Sequence, residues 1–458
     1  MSQKDKNNET SKRILVAQEE NEKESDQFLF KQAEPRFMEW ATQSATPILS
    51  LTSIDDTKDL QAIAEAIGEA KFVALSEGFH NCKEMMSLHH RIIRYLIENH
   101  GFNTILSESS FARTIHDYVQ GKDIPENKLW SKDTSIVKFY GAWEEGRKLI
   151  EYMRDYNRDH DNILEYYGTD IGGFYQDWKT PLEAILQYLE KVDMDHHLTL
   201  SQRLHPFMDM LSSNARLNYS EKLTPSQRNE LAAILDESVA KFNLKEVDYI
   251  SNSTNKEFQW TRQSLRSLLW AETFYRNYED MKNVKSGKYV GLNGREIALA
   301  RNCLWVLQQR NDAKVIWIDH VIHTKTRSQY QNELWGFFTP AGQILKQSLG
   351  NNFFAIGMCY GGGRFWNKWQ QPPNRFVDSI PPWDTTRRSL EKSMSNWGNG
   401  NFFLNWSKAP QTFECQHWMQ TVFSMRENDY FIQIEPREWD SCIYLDIVNP
   451  ATPAASSL

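Results

Sequence analysis

The sequence predicts an α/β fold with a mainly parallel central sheet, flanked by helices and interrupted by a helical insertion that forms a cap. Short apolar runs alternate along the chain with segments whose apolar residues recur at helical spacing. Several of these runs are apolar without interruption, which is typical of parallel strands buried on both faces. In addition, residues 181–278 contain no glycine and are dominated by helical patterns, which predicts the insertion.

The same patterns divide the 458-residue chain into four parts. Residues 1–26 are polar and charged without periodicity, and we predict a disordered tail there. Residues 27–180 and 291–458 contain the alternating strands and helices, so we expect them to form the two parts of the α/β core. Residues 181–290 form the predicted helical insertion or cap.

The first strand-to-helix unit, residues 71–101, carries polar side chains in its turn. The apolar run FVAL is followed by Glu77 and His80, and an amphipathic helical pattern begins directly afterwards. Asn81 is predicted to cap this helix, with Glu84 three residues later as in a capping box. Open α/β sheets bind ligands where strands end and helices begin, so Glu77 and His80 form a candidate acid/base pair.

Three further predicted strands also end on titratable residues. The run TILSESSF contains Glu108, YYGTD ends on Asp170, and AKVIWIDHVIH ends on His320 and His323. If these strands are parallel neighbours, their ends converge on one crevice. A single acidic strand end is more often a cap or turn residue, but the recurrence at several strands favours a functional cluster.

The sequence lacks several known catalytic and nucleotide-binding motifs, which reduces the number of reaction types that this cluster could carry out. It contains no G-x-S-x-G elbow, no P-loop and no dinucleotide fingerprint after a strand. The remaining hypothesis is water activation by His80, with Glu77 or Glu108 fixing the tautomer of its imidazole.

Two alternatives stay open beside general-base catalysis. Imidazole and carboxylate groups are also metal ligands, although the chain has no H-E-x-x-H helix and D-H-V-I-H is a weak metal signal. The general base is favoured over a metal site, so no cofactor is predicted. A protein that only binds a hydrophobic small molecule is the second alternative.

Composition argues against a nucleic-acid partner and against an anionic-membrane partner. The formal net charge is −8 and the pI is about 5.9, which argues against nucleic acid and anionic lipid. No apolar run approaches the roughly 18 residues of a membrane span. The five cysteines are scattered without a C-x-x-C pair, which predicts free thiols and a cytoplasmic protein.

These motifs resemble those of the erythromycin esterase family. That family has a G-E-x-x-H turn followed by a helix bearing R-H…R-[YF], and this chain has SEGFH followed by LHHRIIRYL. The family's strand ends resemble TILSESSF, YGTDI and DHVIH, the last matching A-H-N-x-H. The segments REIALARN, PAGQILK and WDSCIYLD also fit, so the resemblance spans residues 39–451.

The resemblance implies a hydrolase that opens macrolide lactone rings by the attack of water on the ester. It implies that His80 is the general base and that Glu77 and Glu108 orient it. It further implies that His320 and His323 contact the ester or the developing oxyanion.

Four further residues are predicted to contact the substrate or support the site: Asp170, which the resemblance implies, and His89, Arg94 and Phe79. His89 also shares a helix face with apolar residues, which indicates a buried histidine. Arg94 is the best candidate on this helix to turn back toward a carboxylate.

Three positions depart from the family pattern. Ser76 replaces the glycine before Glu77, His89 replaces the arginine beside the helix histidine, and Val321 replaces the asparagine between the two strand-end histidines. The expected substrate is therefore a macrocyclic lactone or another bulky ester.

Overall fold

The computed structural model describes most of the chain. Residues 1–25, which hold nearly all of the predicted disordered tail, lie outside the described residues, so the tail remains a prediction. The described ranges are 26–53, 55–111, 113–130, 141–171, 178–211, 215–281, 290–330, 337–366, 376–377, 388–397, 400–427 and 430–454.

Eight strands form one central sheet in the order β1-β11-β14-β8-β2-β5-β3-β4. The six strands from β14 to β4 are parallel, whereas β11 pairs antiparallel with both β1 and β14. The predicted mainly parallel sheet is therefore confirmed. The strands are β1 (Thr46–Pro47), β2 (Phe72–Glu77), β3 (Thr104–Ser110), β4 (Glu165–Asp170), β5 (Val315–His320), β6 (Gln329–Tyr330), β7 (Phe337–Phe338), β8 (Phe353–Gly363), β9 (Phe365–Trp366), β10 (Phe376–Val377), β11 (Phe402–Asn405), β12 (Phe423–Glu427), β13 (Tyr430–Ile434) and β14 (Ser441–Val448).

The strands outside the central sheet form three antiparallel pairs, β6 with β7, β9 with β10 and β12 with β13. The helices in the described residues are α1 (26–44), α2 (Gln61–Ile67), α3 (Lys83–His100), α4 (Arg113–Val119), α5 (Glu126–Leu129), α6 (Glu144–Asp159), α7 (Lys179–Val192), α8 (Met194–Met208), α9 (Ala215–Lys222), α10 (Pro225–Leu244), α11 (Glu246–Ser251), α12 (Asn255–Met281), α13 (Val290–Gln309), α14 (Val321–Thr324), α15 (Ala341–Leu349), α16 (Leu390–Met394) and α17 (Phe413–Gln420).

The sheet separates two hydrophobic cores, one on each face. Along β2, Phe72 and Ala74 belong to one core, while Val73 and Leu75 belong to the other. This division follows from the two-residue period of a strand, whose successive side chains point to opposite faces. Helices cover both faces, which explains why the strand is apolar without interruption.

The parallel strands β2, β5, β3 and β4 are direct neighbours, so their carboxyl ends meet at one edge of the sheet. Glu77 pairs with His320 across β2 and β5. The register of β3 and β4 shifts between Ser107 and Ser110, and such irregularities change the direction of nearby side chains. A Cβ atom at Gly168 would lie 1.9 Å from the Ser110 carbonyl oxygen, so this glycine allows the close approach.

Helices α7 to α12 lie between β4 and β5 in the sequence, where the predicted insertion is located. The last of them is bound to the core through Asn302 of α13. Its side chain accepts hydrogen bonds from Gln263 (2.7 Å) and Ser267 (3.1 Å) and donates one to the Thr169 carbonyl (2.8 Å). The exact division into domains remains a prediction.

The predicted cap of helix α3 was wrong. The N-cap residue is Cys82, and no side chain caps the helix there. Asn81 instead accepts a hydrogen bond from the Trp143 indole (2.7 Å), and Glu84 accepts one from the backbone N–H of Asn449 (2.6 Å). Both side chains are used in contacts with distant segments, which local sequence rules do not anticipate.

Two further observations concern the cysteines and the apolar character of the helices. All five cysteines are buried and carry free thiols, as the sequence predicted. Among the described residues, we find no helix with the length and apolar composition needed to cross a membrane.

Candidate active site

His80 lies between two buried glutamates that come from neighbouring parts of the sheet edge. Its Nδ1 atom is 3.0 Å from Glu77 Oε2, and its Nε2 atom is 3.7 Å from Glu108 Oε2. Glu77 ends β2, His80 follows in the turn before α3, and Glu108 lies on β3. A carboxylate on Nδ1 favours the tautomer whose proton is on that nitrogen, which leaves the Nε2 lone pair available as a base.

Arg295, on helix α13, joins Glu108 to Asp170. Its Nε and Nη2 atoms donate to the two oxygens of Asp170 at 3.0 and 2.9 Å, and Nη2 also donates to Glu108 Oε1 at 2.7 Å. Such a two-pronged arginine–carboxylate contact is strong and fixes orientation. The structure therefore brings Asp170 to the cluster through Arg295, a residue to which sequence reasoning had assigned no role.

His320 ends β5 with its ring beside that of His80. The two ring centroids are 4.8 Å apart. The backbone N–H of His320 donates to Asp319 Oδ1 (2.8 Å) and to Glu108 Oε2 (3.3 Å). Its Nδ1 atom accepts a 3.4 Å hydrogen bond from the backbone of Ile322, at the start of α14. Because Nδ1 accepts this hydrogen bond, the ring proton of His320 is on Nε2, which can act as a donor.

Both ring nitrogens of His323, on α14, lie close to charged side chains. Nδ1 lies 2.7 Å from Glu296 Oε1, while Nε2 lies 3.6 Å from Glu108 Oε1 and 3.1 Å from Arg295 Nη1. The other oxygen of Glu296 accepts a 3.0 Å hydrogen bond from the backbone of Ala341 at the start of α15. The positions of α13, α14 and α15 are therefore coupled through one carboxylate.

The charges of the cluster depend on these contacts. Burial alone would lower the pKa of His323, but the Glu296 carboxylate outweighs it and holds the pKa well above its ordinary value. Burial alone would raise the pKa of Glu108, but His80, His323 and Arg295 together hold it well below its ordinary value. Glu108 is therefore an ionised carboxylate among cationic and imidazole groups.

Sequence reasoning also missed Asp319 and Glu296. Asp319 precedes His320 on β5, and its pKa is raised well above the ordinary value by burial and by the nearby charge of Glu108. Arg295 and Glu296 open the motif REIALARN, which fitted the family pattern but carried no chemical signal of its own. Only the packing of α13 against the sheet edge places these two residues in the cluster.

The cluster contains one group of three side chains that a metal ion could use in principle. The candidate ligand atoms of Glu108, Asp319 and His323 lie within 4.8 Å of one another. However, Arg295 donates to Glu108 at 2.7 Å and lies 3.1 Å from the His323 Nε2 atom. A guanidinium thus already supplies positive charge at this position and would repel a divalent cation, so the arrangement does not fit a metal centre.

His89 and Phe79 are buried and contact residues of strands β2 and β8. The His89 ring is buried, and its Nε2–H donates to the Ser76 carbonyl at 3.0 Å. Burial lowers the pKa of His89, so the ring is neutral. Phe79 is fully buried with its ring 4.6 Å from that of Tyr360. Both residues support the strand end that carries Glu77.

The structure does not bring Arg94 to the site, which corrects the expectation that it contacts the substrate. Its guanidinium pairs with Glu98 at 2.6 Å and lies 5.1 Å from the centre of the Tyr152 ring, on the outer side of α3. Arg94 follows His89 by five residues, which is about 140° of rotation around a helix. Since His89 faces the sheet, Arg94 faces away from it.

Comparison with known proteins places the chain among hydrolases. The family described as Erythromycin esterase matches residues 97–446, which include Glu108, Asp170, His320 and His323 but begin after the turn that carries His80. Erythromycin esterase type II of Escherichia coli is 23% identical over 401 residues, covering 83% of this chain and 91% of that protein.

Two solved structures share the fold. A Bacillus cereus protein superimposes with a TM-score of 0.75 at 19% identity, covering 92% of this chain and 99% of that one. A mutant of erythromycin esterase EreC in its open conformation gives a TM-score of 0.69 at 15% identity, covering 91% and 99%. Because the family match extends over most of the sequence, this protein belongs to the erythromycin esterase family of hydrolases.

Proposed function

We propose that this protein hydrolyses a carboxylic ester, either a macrolide lactone or another bulky or cyclic ester, with water activated by His80. The observation that carries the proposal is the position of His80 between two buried carboxylates, with Glu77 3.0 Å from Nδ1 and Glu108 3.7 Å from Nε2. This is the arrangement of a general base whose tautomer and orientation are fixed by its neighbours.

In the proposed reaction, the oxygen of a water molecule adds to the ester carbonyl carbon while one of its protons passes to Nε2 of His80. The carbonyl oxygen becomes the oxyanion of a tetrahedral intermediate. When the intermediate collapses, the bond between the carbonyl carbon and the alcohol oxygen breaks. The His80 imidazolium then gives its proton to the departing alkoxide, and the acid and the alcohol are released.

His320 is the proposed partner of the oxyanion, because its ring lies beside that of His80 with a centroid separation of 4.8 Å. An N–H donor that is already positioned toward a developing oxyanion makes a large contribution to catalysis. His323 and Arg295 are occupied by Glu296, Asp170 and Glu108, so we assign them the task of keeping Glu108 ionised and fixed.

The three residues that depart from the family pattern are Ser76, His89 and Val321, and all three are buried. Their burial supports a substrate ester of the same general kind as in the family. The Ser76 hydroxyl lies 2.6 Å from the Thr324 hydroxyl, and both are buried. His89 bonds the Ser76 carbonyl, and the Val321 side chain is fully buried in the core. These residues change how the strand ends are held together, and we therefore place none of them in contact with the substrate.

The two alternative functions are less well supported. A metal-dependent hydrolase would have to displace the guanidinium of Arg295 from the same carboxylate. A protein that only binds a hydrophobic molecule would gain nothing from burying five carboxyl groups at one sheet edge, because burying charge is costly. We also propose a cytoplasmic location, which the five buried free thiols favour.

Mass spectrometry of a panel of macrolides and simpler esters tests the proposal. The panel is incubated with the wild-type protein and with the His80→Ala variant, each with and without a chelator. We expect one or more substrates to gain the mass of one water with the wild-type protein, with chelator or without. No hydrolysis of any ester, or hydrolysis that the chelator abolishes, would refute the proposal.

A further inference from the structure

Two buried carboxyl groups at the centre of the site accept the same backbone N–H. The His320 amide lies 2.8 Å from Asp319 Oδ1 and 3.3 Å from Glu108 Oε2. Asp319 is 1% exposed and Glu108 is 5% exposed. Within the described part of the chain, the second oxygen of Asp319 is buried and no N–H or O–H group donates to it. Two carboxylates this close and this deeply buried do not both ionise readily.

The surrounding charges decide which of the two keeps its proton. Arg295 donates to Glu108 at 2.7 Å, and ring nitrogens of His323 and His80 lie 3.6 and 3.7 Å from its oxygens. Among the residues that the structure describes, no lysine, arginine or histidine forms an ion pair with Asp319. The stabilising positive charge is thus concentrated on Glu108.

We propose that Asp319 is held as a neutral carboxylic acid next to the ionised Glu108, and that it positions Glu108 by offering it an O–H donor. The proton belongs to Asp319 because, among the described residues, Glu108 forms an ion pair with Arg295 whereas Asp319 forms none with any cation. The directions of the two pKa shifts agree with this assignment, since burial and the charge of Glu108 raise the pKa of Asp319. The catalytic consequence, but not the protonation itself, rests on the proposed function.

The neutral acid has a defined effect on the proposed reaction. A donor on Glu108 lowers the basicity of that carboxylate and fixes the oxygen that faces His80. The proton released by the attacking water then passes to His80 and not to Glu108. Asp319 acts in this way through Glu108 and has no contact of its own with the reacting atoms.

Infrared difference spectroscopy of the full-length protein tests the protonation directly. A protonated buried carboxyl group gives a carbonyl-stretching band that shifts in heavy water. An ionised carboxylate gives no band of this kind. We expect Asp319→Asn to remove such a band from the wild-type spectrum. Asp170→Asn is the matched control, because both Asp170 oxygens accept hydrogen bonds from Arg295, and this variant should keep the band. If Asp319→Asn removes no protonated-carboxyl band, the proposal is wrong.

Activity on any ester that the protein hydrolyses gives a second test. Asparagine is neutral, nearly the same shape and a donor, so Asp319→Asn should keep kcat/KM within about threefold of wild type. Asp319→Ala removes the donor to an ionised partner and should lower kcat about 10- to 100-fold. If Asp319→Asn is as impaired as Asp319→Ala, Asp319 acts as an ionised group and the proposal fails. If no ester is hydrolysed, the proposed function fails while the infrared result still decides the protonation of Asp319.

Discussion

The Nδ1 atom of His80 lies 3.0 Å from Oε2 of Glu77, only three residues earlier in the chain, and both side chains are buried. Glu77 is fixed as the last residue of β2, and His80 is fixed by the turn into α3. The geometry of this pair therefore follows from the junction of one strand and one helix. The second carboxylate, Glu108, comes from β3, so the complete site needs the assembled sheet.

His80→Ala should abolish ester hydrolysis while the fold survives. The loss in kcat should be about 100- to 10,000-fold, the usual contribution of a general base. The protein should remain folded because His80 lies in the turn between β2 and α3, and the substitution leaves the apolar side chains of both hydrophobic cores in place. Steady-state kinetics and circular dichroism measure the two effects. His160→Ala, an exposed histidine that stacks on Tyr156, is the matched control and should retain full activity.

Arg295→Met should destabilise the protein strongly. The substitution leaves the buried carboxylates of Glu108 and Asp170 without the cation that bonds both of them. Breaking a buried ion pair from one side costs about 3–5 kcal/mol in the free energy of unfolding. Urea denaturation of the single variants and of Arg295→Met combined with Asp170→Asn measures this coupling. Strictly additive effects would show that the two side chains do not interact.

The contribution of His323 to stability should decrease as the pH rises. Although burial opposes its charge, Glu296 raises the pKa of His323 well above the ordinary value of 6.5. The folded state therefore binds this proton more tightly than the unfolded state does, so the stabilisation is complete below pH 6.5 and is lost as the pH rises through the folded pKa. Denaturation of wild-type protein and His323→Gln between pH 5 and 9, our chosen range, should show the difference shrinking with rising pH.

His116 provides a control of opposite sign. Burial lowers its pKa from 6.5 to about 4, so the unfolded state binds the proton more tightly. The wild-type protein should therefore lose stability relative to His116→Gln as the pH falls from 6.5 towards 4. If both histidine variants show the same pH trend, the charge assignment of His323 is wrong.

Asn302→Ala should weaken the attachment of α12 to the sheet. The side chain accepts hydrogen bonds from Gln263 and Ser267 and donates to the Thr169 carbonyl, and all of these groups are buried. Leaving them unpaired should lower the free energy of unfolding by about 2 kcal/mol or more. Hydrogen exchange should accelerate in α12 and in β4. Asn252→Ala, at an exposed position, should change stability by less than about 0.5 kcal/mol.

Local patterns were sufficient to predict the parallel strands and the titratable residues at their ends. Glu77, Glu108, Asp170 and His320 all follow or end apolar runs, and strand ends of a parallel sheet converge by geometry. The partners of these residues were not predictable in the same way. Arg295 lies 125 positions from Asp170, and only the packing of α13 against the sheet brings the two together.

The two wrong predictions, for Arg94 and Asn81, also result from contacts between distant parts of the chain. Arg94 was expected to face the site, but the rotation of α3 that buries His89 turns Arg94 toward Glu98. Asn81 has the residue type of a helix cap, yet its side chain accepts a hydrogen bond from Trp143. In both cases a contact with the rest of the fold decided the side-chain position, and no short pattern in the sequence records such a contact.

Hydrolysis in water enriched in heavy oxygen tests the central claim most directly. The wild-type protein and His80→Ala are treated with chelator and incubated with the best ester of the panel, and the products are analysed by mass spectrometry. We expect the wild-type protein to place one heavy oxygen in the carboxylic acid and none in the alcohol, and His80→Ala to form no labelled acid. Labelled acid formed at the wild-type rate by folded His80→Ala would contradict the role of His80 as the base.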